Sequence, residues 1–313
     1  MTRILYYTVS ASDSGKKLED FLREQGCSHH VITQLKRTEQ GICLNDVWAY
    51  TTQRLNTGDQ IRLTLTEQEP SEHILPVPLP LDIVYEDDDL MVVNKPSDMP
   101  IHPSVNNYDN TLANAVMYYF KQQNNTFVYR CINRLDRDTS GLLIIAKHML
   151  SGAILSSMSA NRQIHREYLT IVEGILPEAG TIDAPIARQQ ESVLMRCVDL
   201  EQGERAVTHY QRLACFPTDL RKNSEDETCG RQLSLARVQL ETGRTHQIRV
   251  HMKHIGHPMI GDFLYYPESQ DLIPRQALHS HTLSFRHPIT REQLTFSAKL
   301  PADMQRLIPS GAF

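Results

Sequence analysis

The chain has 313 residues, 40% hydrophobic and 22% charged, which is ordinary globular usage with enough apolar material for a core, and its length suggests two domains. A formal charge of −5 and a pI near 6.3 argue against a protein that coats nucleic acid through bulk positive charge, but leave local basic patches open. The mean hydropathy of −0.39, the lack of an 18-residue apolar stretch and an N-terminus without a leader-like apolar run predict a cytoplasmic protein with no membrane span. The six cysteines are scattered without a C-x-x-C pair, which fits reduced thiols better than disulfides or zinc ligands.

Residues 17–25 read as a helix, with Leu18, Phe21 and Leu22 at helical spacing and Gly26 closing it. Ser28 opens a second helical pattern, carrying Val31, Ile32 and Leu35 on one side and Lys36 and Arg37 near its end, and Gly41 stops it. "ICLND" reads as a short strand and "TGDQIRLTL" as a turn followed by an alternating strand. Two helices followed by short strands resemble the small alpha-L RNA-binding fold first seen in a ribosomal protein. That resemblance implies RNA contact through Lys36 and Arg37. The family tends to place arginine at position 29, where this chain has His29. Residues 13–70 hold seven Lys and Arg against nine Asp and Glu, so any such contact rests on the local cluster of Lys36 and Arg37 with Lys16, Lys17 and the histidines.

Pro70, Pro76, Pro78 and Pro80 then mark an extended tether, because proline fixes φ and removes a backbone donor. The expected organisation is a small domain over 1–68, a linker over 69–80 and a large domain over 81–313. In the large block, 81–95 suggests two strands joined by an acidic turn, and Lys95, Pro96, His102 and Pro103 belong to a loop framing whatever cleft follows. "NTLANAVMYYF" reads as a helix, "GLLIIAK" as a buried strand and "REYLTIVEG" as another. "HYQRLACF" and "LSLARVQLETG" carry strand patterning on either side of the polar stretch "PTDLRKNSEDETCGRQ", which reads as an exposed loop. Interleaved strands with few helices predict an α+β fold on a mixed, largely antiparallel sheet.

Two stretches hold the chemistry. "NRLDRDTSG", residues 133–141, carries two arginines and two aspartates up to the apolar run that follows. Asp138-Thr139-Ser140-Gly141 imitates an aspartic-protease signature, but that chemistry needs two aspartates sharing a proton and this motif occurs once. In extended backbone Arg134 and Asp136 share a face, at the mouth of the interior. On residues alone, a carboxylate held there beside a guanidinium reads equally as a structural ion pair and as an activated nucleophile.

"HQIRVHMKHIGH", residues 246–257, holds four histidines, but no acid lies among them and lysine and arginine intrude, which disfavours a metal. As a helix over 245–255 it would put Ile248, Met252 and Ile255 in a core stripe. His246, Arg249 and Lys253 would form a cationic stripe suited to phosphate or carboxylate.

These stretches resemble the ordered motifs of RluA-type pseudouridine synthases. "NRLDRDTSG" stands for the usual H-R-L-D-x-x-T-S-G, and "VVNKPSDMPIHP", "REYLTIVEG" and "TGRTHQIRVHMKHIGHPMIGDFLY" fall in family order. Such enzymes break the glycosidic bond of a uridine in RNA, turn the base and rejoin it through carbon, and the resemblance implies no cofactor. It makes Asp136 the nucleophile, attacking either sugar or pyrimidine, and Arg249 its ion-pair partner. Tyr168 becomes an aromatic platform for the uracil, with a core tyrosine as its plainer reading, and Arg134 fills the space left by the flipped nucleotide. Asn133 stands where the family has histidine, from which altered loop packing is expected. The implied substrate is large-subunit ribosomal RNA first and transfer RNA second, bound by a monomer. A non-catalytic RNA-binding or ribosome-assembly factor is the alternative. A glycosidase would need two carboxylates flanking a sugar, and the single tryptophan, Trp48, lies outside the large block.

Overall fold

The computed structural model describes residues 1–67, 69–190, 192, 194–218 and 231–311. The N-terminal part is a four-stranded antiparallel sheet of β1 (Thr2–Thr8), β2 (Ile42–Leu44), β3 (Val47–Trp48) and β4 (Gln60–Thr66), ordered β1-β4-β2-β3, with helices α1 (Leu18–Glu24) and α2 (His29–Arg37). Both helices fall where the apolar spacing predicts. Ser28 caps α2 by accepting the Val31 N–H, and Gly26 takes the left-handed φ of +93° that ends the α1 turn. The strand β1 has no counterpart in the sequence reading, because Ile4 and Tyr6 face outward while Leu5 is buried, so apolar residues lie on both faces.

The large sheet has nine strands. They are β5 (Ile83–Glu86), β6 (Leu90–Lys95), β7 (Ser140–Ala146), β8 (His165–Glu173), β9 (Ala179–Asp183), β12 (Val207–Thr218), β13 (Arg231–Leu240), β14 (Leu278–Arg286) and β15 (Gln293–Ser297). Strands β10 (Ile186–Arg188) and β11 (Arg196–Val198) form a separate ribbon, and α3 (Leu112–Gln122), α4 (Met149–Ala160), α5 (Gln247–His254) and α6 (Ala302–Gln305) complete the chain. The order β5-β6-β7-β14-β8-β13-β12-β9, with β15 added to β14, is antiparallel everywhere except between β7 and β14. The fold is α+β on a mixed, largely antiparallel sheet, as the patterning predicts. Of the polar stretch at 217–232, Pro217 and Thr218 end β12 and Arg231 and Gln232 begin β13; the intervening 219–230 lie outside the described residues, as does Cys229.

The stretch over 69–80 forms no strand, turns at Glu72 and His73, where His73 has a φ of 63°, and is tied down. The Asn114 Nδ2 group donates to the Leu75 carbonyl, the Val77 N–H donates to the Asn114 carbonyl, and the Tyr129 N–H donates to Ser71 Oγ. One apolar core runs from Leu18, Phe21, Val31 and Leu63 of the N-terminal part to Leu90, Ile144, Ile154 and Leu155 of the large block. Arg3 of β1 reaches the buried Asp89 carboxylate at 2.8 Å, joining the two parts by charge as well.

No helix among the described residues is long and apolar enough to cross a membrane. Cys27, Cys43, Cys131, Cys197 and Cys215 are free thiols.

Candidate active site

The parallel junction of β7 and β14 places the charged turn. Gly141 pairs with Ser280 at φ +114°, and a Cβ there would lie 2.3 Å from the Ser280 carbonyl oxygen, so only glycine lets the strands meet. Just before it, three successive carbonyls are each held by a different donor. The Asp136 carbonyl accepts the Thr139 N–H, that of Arg137 accepts Lys95 Nζ at 2.8 Å, and that of Asp138 accepts Arg275 Nη1 at 3.2 Å. The Lys95 ammonium, 1% exposed at the end of β6, also donates to the Pro96 and Met99 carbonyls. Burial pushes it down to about 7, against the pull of Asp138. A residue that reads in sequence as a loop frame is thus a buried post under the turn.

Asn133 braces the same turn. Its amide accepts the Ile144 N–H at 2.9 Å and donates to the Leu142 carbonyl at 3.3 Å, so one side chain satisfies both the donor and the acceptor that β7 presents.

Asp136, its side chain 29% exposed, projects from this turn into a cleft of about 1030 Å3. Its Oδ2 accepts Arg249 Nη1 at 2.9 Å, and its Oδ1 has no hydrogen-bond partner among the described residues. The remaining edge of the Arg249 guanidinium grips Asp262 through Nε at 2.7 Å and Nη2 at 2.8 Å. Asp262 is fully buried and also accepts the Leu264 and Tyr265 N–H groups. Burial alone would lower the Arg249 pKa, but Asp262 and Asp136 raise it above its ordinary value. The Tyr265 and Phe263 rings lie 5.1 and 5.8 Å from its guanidinium carbon. Sequence reasoning missed Asp262, although it lies in the same motif as Arg249.

The quartet "HQIR" divides its labour. Gln247 staples the start of α5 to β12, donating to the Val207 carbonyl and Thr208 Oγ1 while accepting from Thr242 and the Arg244 N–H. Ile248 enters the core and Arg249 enters the site.

The expected cationic residues do share one side, each meeting the Tyr265 ring, but they do not form a uniform charged surface. His246 precedes the helix in left-handed backbone at φ 57°, Arg249 is buried, and Lys253 is exposed. The histidines of the stretch also go separate ways: His251 bonds Thr208 Oγ1 and the Ala184 carbonyl, and His257 bonds the Glu173 carbonyl. The acid-histidine group Asp87, Asp89 and His287 lies elsewhere and is internally bonded: His287 Nε2 meets Asp87, while Arg3 and His148 meet Asp89.

Arg134 is exposed on the cleft wall with no ion pair among the described residues. Tyr168 of β8 lines the cleft yet is only 4% exposed and packs with Val172, Val238 and Ile248, so it is both wall and core. Burial raises its pKa above the ordinary phenol value. Asp136, Arg134, Tyr168 and Arg249 therefore converge, from segments spread over more than a hundred residues of chain. Lys36 and Arg37, exposed at the far end of α2, do not line this cleft. The start of that helix does border an adjoining cavity of about 270 Å3 that shares Ile132 and Ser156 with the main cleft.

The site is thus an arginine-held carboxylate beside a cleft on this sheet with room for a nucleotide. Residues 89–254 match the model of the RNA pseudouridylate synthase family, and the chain belongs to that family as an RNA pseudouridine synthase, an isomerase. It is 38% identical over 93% of its length to the uncharacterized RNA pseudouridine synthase YjbO of Bacillus subtilis strain 168, covering 98% of that protein. It is 42% identical to the ribosomal large subunit pseudouridine synthase D of Zymomonas mobilis, over 75% of this chain and 74% of the relative. Among solved structures, human RNA pseudouridylate synthase domain containing 1 superimposes with a TM-score of 0.57 at 26% identity, over 74% of this chain and 86% of that one.

Proposed function

We propose that Asp136 is the nucleophile of the isomerisation and that its free Oδ1 is the attacking atom. The observation that carries this is the asymmetry of the carboxylate: Asp136 lines the cleft with Oδ2 occupied by Arg249 and Oδ1 without a hydrogen-bond partner among the described residues. A charged oxygen fixed by a buried guanidinium needs little reorganisation as bonds change around it. In this reading Tyr168 lies against the uracil and Arg134 occupies the space that the flipped nucleotide leaves. Drawing the base out of its stack costs about a few kcal/mol. The basic lining helps to meet that cost, since Arg134 and Arg166 face the cleft without carboxylate partners among the described residues although the whole chain is acidic.

The substrate we propose is large-subunit ribosomal RNA, as the name of the Zymomonas relative suggests, with transfer RNA second. The small N-terminal unit would bind RNA through Lys36 and Arg37, and the enzyme would act as a cytoplasmic monomer.

Asp136→Asn tests the chemistry. The change is isosteric and leaves the Asp262–Arg249 pair intact, so the variant is expected to fold with unchanged melting temperature and to form no pseudouridine. Wild-type product from this variant would end the assignment. Pseudouridine mapping of ribosomal and transfer RNA from cells with and without the gene identifies the target, and an unchanged large-subunit map would refute the ribosomal choice.

A further inference from the structure

His246 is a cleft residue that this reading leaves without a task. Its ring is held from behind: the Tyr265 hydroxyl oxygen accepts the Arg196 N–H at 2.8 Å and lies 2.9 Å from His246 Nδ1. A phenol oxygen that already accepts one backbone proton is best placed to donate its own, so Nδ1 is the acceptor and the neutral ring carries its proton on Nε2. Burial pushes the imidazole below its ordinary pKa, with Asp136 opposing and Arg249 assisting, which favours the neutral ring. That leaves Nε2–H in the cleft, 3.9 Å from Asp136 Oδ2, with the His246 side chain 14% exposed.

A gap of 3.9 Å is too long for a direct hydrogen bond, but an oxygen lying to one side of it can sit about 2.8 Å from both atoms. The two ends of the gap dictate the chemistry of the occupant. It must accept from Nε2–H and donate to a carboxylate oxygen. A uracil carbonyl only accepts and the uracil N3–H only donates, whereas a hydroxyl does both. Within an RNA strand the 3′ and 5′ oxygens are tied up in phosphodiesters, so the one free hydroxyl of an internal nucleotide is the ribose 2′-OH. We propose that His246 and Asp136 Oδ2 form a ribose subsite that holds the 2′-hydroxyl of the target uridine and distinguishes RNA from DNA at that position. His246 stands in left-handed backbone just before α5, and the edge-on Tyr265 ring with its hydroxyl fixes the imidazole's rotation.

The proposal rests on the target uridine reaching Asp136, and the experiment separates the two. Single-turnover pseudouridine formation is followed by nucleoside chromatography on two RNA oligonucleotides, identical except that one carries 2′-deoxyuridine at the target. The enzymes are wild type, His246→Gln, His246→Leu and Asp136→Asn. Gln and Leu impose the same backbone demand at position 246, but only Gln presents a donor. On the all-ribose RNA, His246→Leu is expected to be slower by roughly tenfold, the worth of one hydrogen bond in a dry site, and His246→Gln to recover most of that. On the 2′-deoxy RNA the three should be equally slow, because the group that His246 reads is missing. If that RNA turns over too slowly to follow, the same comparison is made on equilibrium affinities. A His246→Leu defect that persists undiminished on the 2′-deoxy RNA overturns the subsite, and so does a wild-type rate for His246→Leu on the ribose RNA. Equal losses in Leu and Gln with a lowered melting temperature would assign His246 a purely structural role and also overturn it. Activity in Asp136→Asn would instead refute the nucleophile assignment and leave the His246 comparison readable.

Discussion

At the scale of single residues, the guanidinium of Arg249 serves two carboxylates that differ in consequence. Asp136 is partly exposed and lines the cleft, so losing its charge should cost the fold little. Asp262 is fully buried, and Arg249 supplies its only cation among the described residues. Replacing Arg249 with Met would strand that carboxylate in a dry site, a loss on the order of 3–5 kcal/mol. Arg249→Met is therefore expected to lose folding stability together with activity, in contrast to Asp136→Asn, and urea unfolding of the two variants would display the difference. Equal midpoints for both would contradict this reading. The Asp136–Arg249 pair is legible in sequence because each member sits in a distinctive motif. Asp262 is not, since nothing in a thirteen-residue spacing tells that the chain after α5 folds back under the guanidinium. Lys95 is hidden for a related reason: a lysine reads as a surface residue until its carbonyl acceptors are known.

Among elements, strands with β-branched runs and helices with one apolar side were readable, because each faces a single environment. Helix α4 was not. Leu150, Gly152, Ile154, Leu155 and Met158 are buried around it, and its serines leave no broad polar face, since it lies between β7 and the small unit. Its lodging there depends on Gly26, which the sequence marks only as a helix cap: a Cβ at that position would lie 2.6 Å from Ile154 Cγ1. The parallel junction of β7 and β14 is the element-level feature that matters most for the site, and Gly141 is its test. An alanine there meets the Ser280 backbone and adopts a positive φ. The cost is about 1–2 kcal/mol for the backbone conformation and about 1–3 kcal/mol for overpacking. Gly141→Ala should lower the melting temperature and, because Asp136 is five residues away in the turn that this junction anchors, cut the pseudouridine yield at temperatures where the protein is still folded. A variant that is less stable but fully active would separate the junction from catalysis.

For the whole molecule, the sequence suggests two units on a tether, and from that alone, removal of residues 1–68 should weaken RNA binding and spare some chemistry. The shared apolar core changes the expectation. Deletion would expose Ile154 and the surface around it and leave Asp89 without Arg3, so the fragment 69–313 should aggregate or bind hydrophobic dyes. The RNA role of the small unit is better tested in the full chain by Lys36→Glu with Arg37→Glu, which should weaken binding across sequences and flatten its salt dependence by about two charges. An unchanged gel-shift titration would remove those residues from the interface.

The integrated core also makes acid stability a property of the entire chain. His279 of β14 is 1% exposed beside Ser140 Oγ, at the same junction that anchors the turn carrying Asp136, and burial pushes its pKa from 6.5 down to about 4. The unfolded chain takes up that proton as pH falls through 6.5, whereas the folded chain refuses it until about 4. Its stabilising contribution is thus complete above pH 6.5 and is lost progressively towards pH 4, a fall on the order of 3 kcal/mol. Asp89 and Asp303, whose carboxyls are held below their ordinary range mainly by His148 and Arg275 against the opposing effect of burial, add losses of the same sign at lower pH. His279→Asn keeps a partner for Ser140 but removes the titration. Its unfolding free energy should fall less steeply between pH 6.5 and 4 than that of the wild type, and parallel curves would show that His279 is not the group responsible.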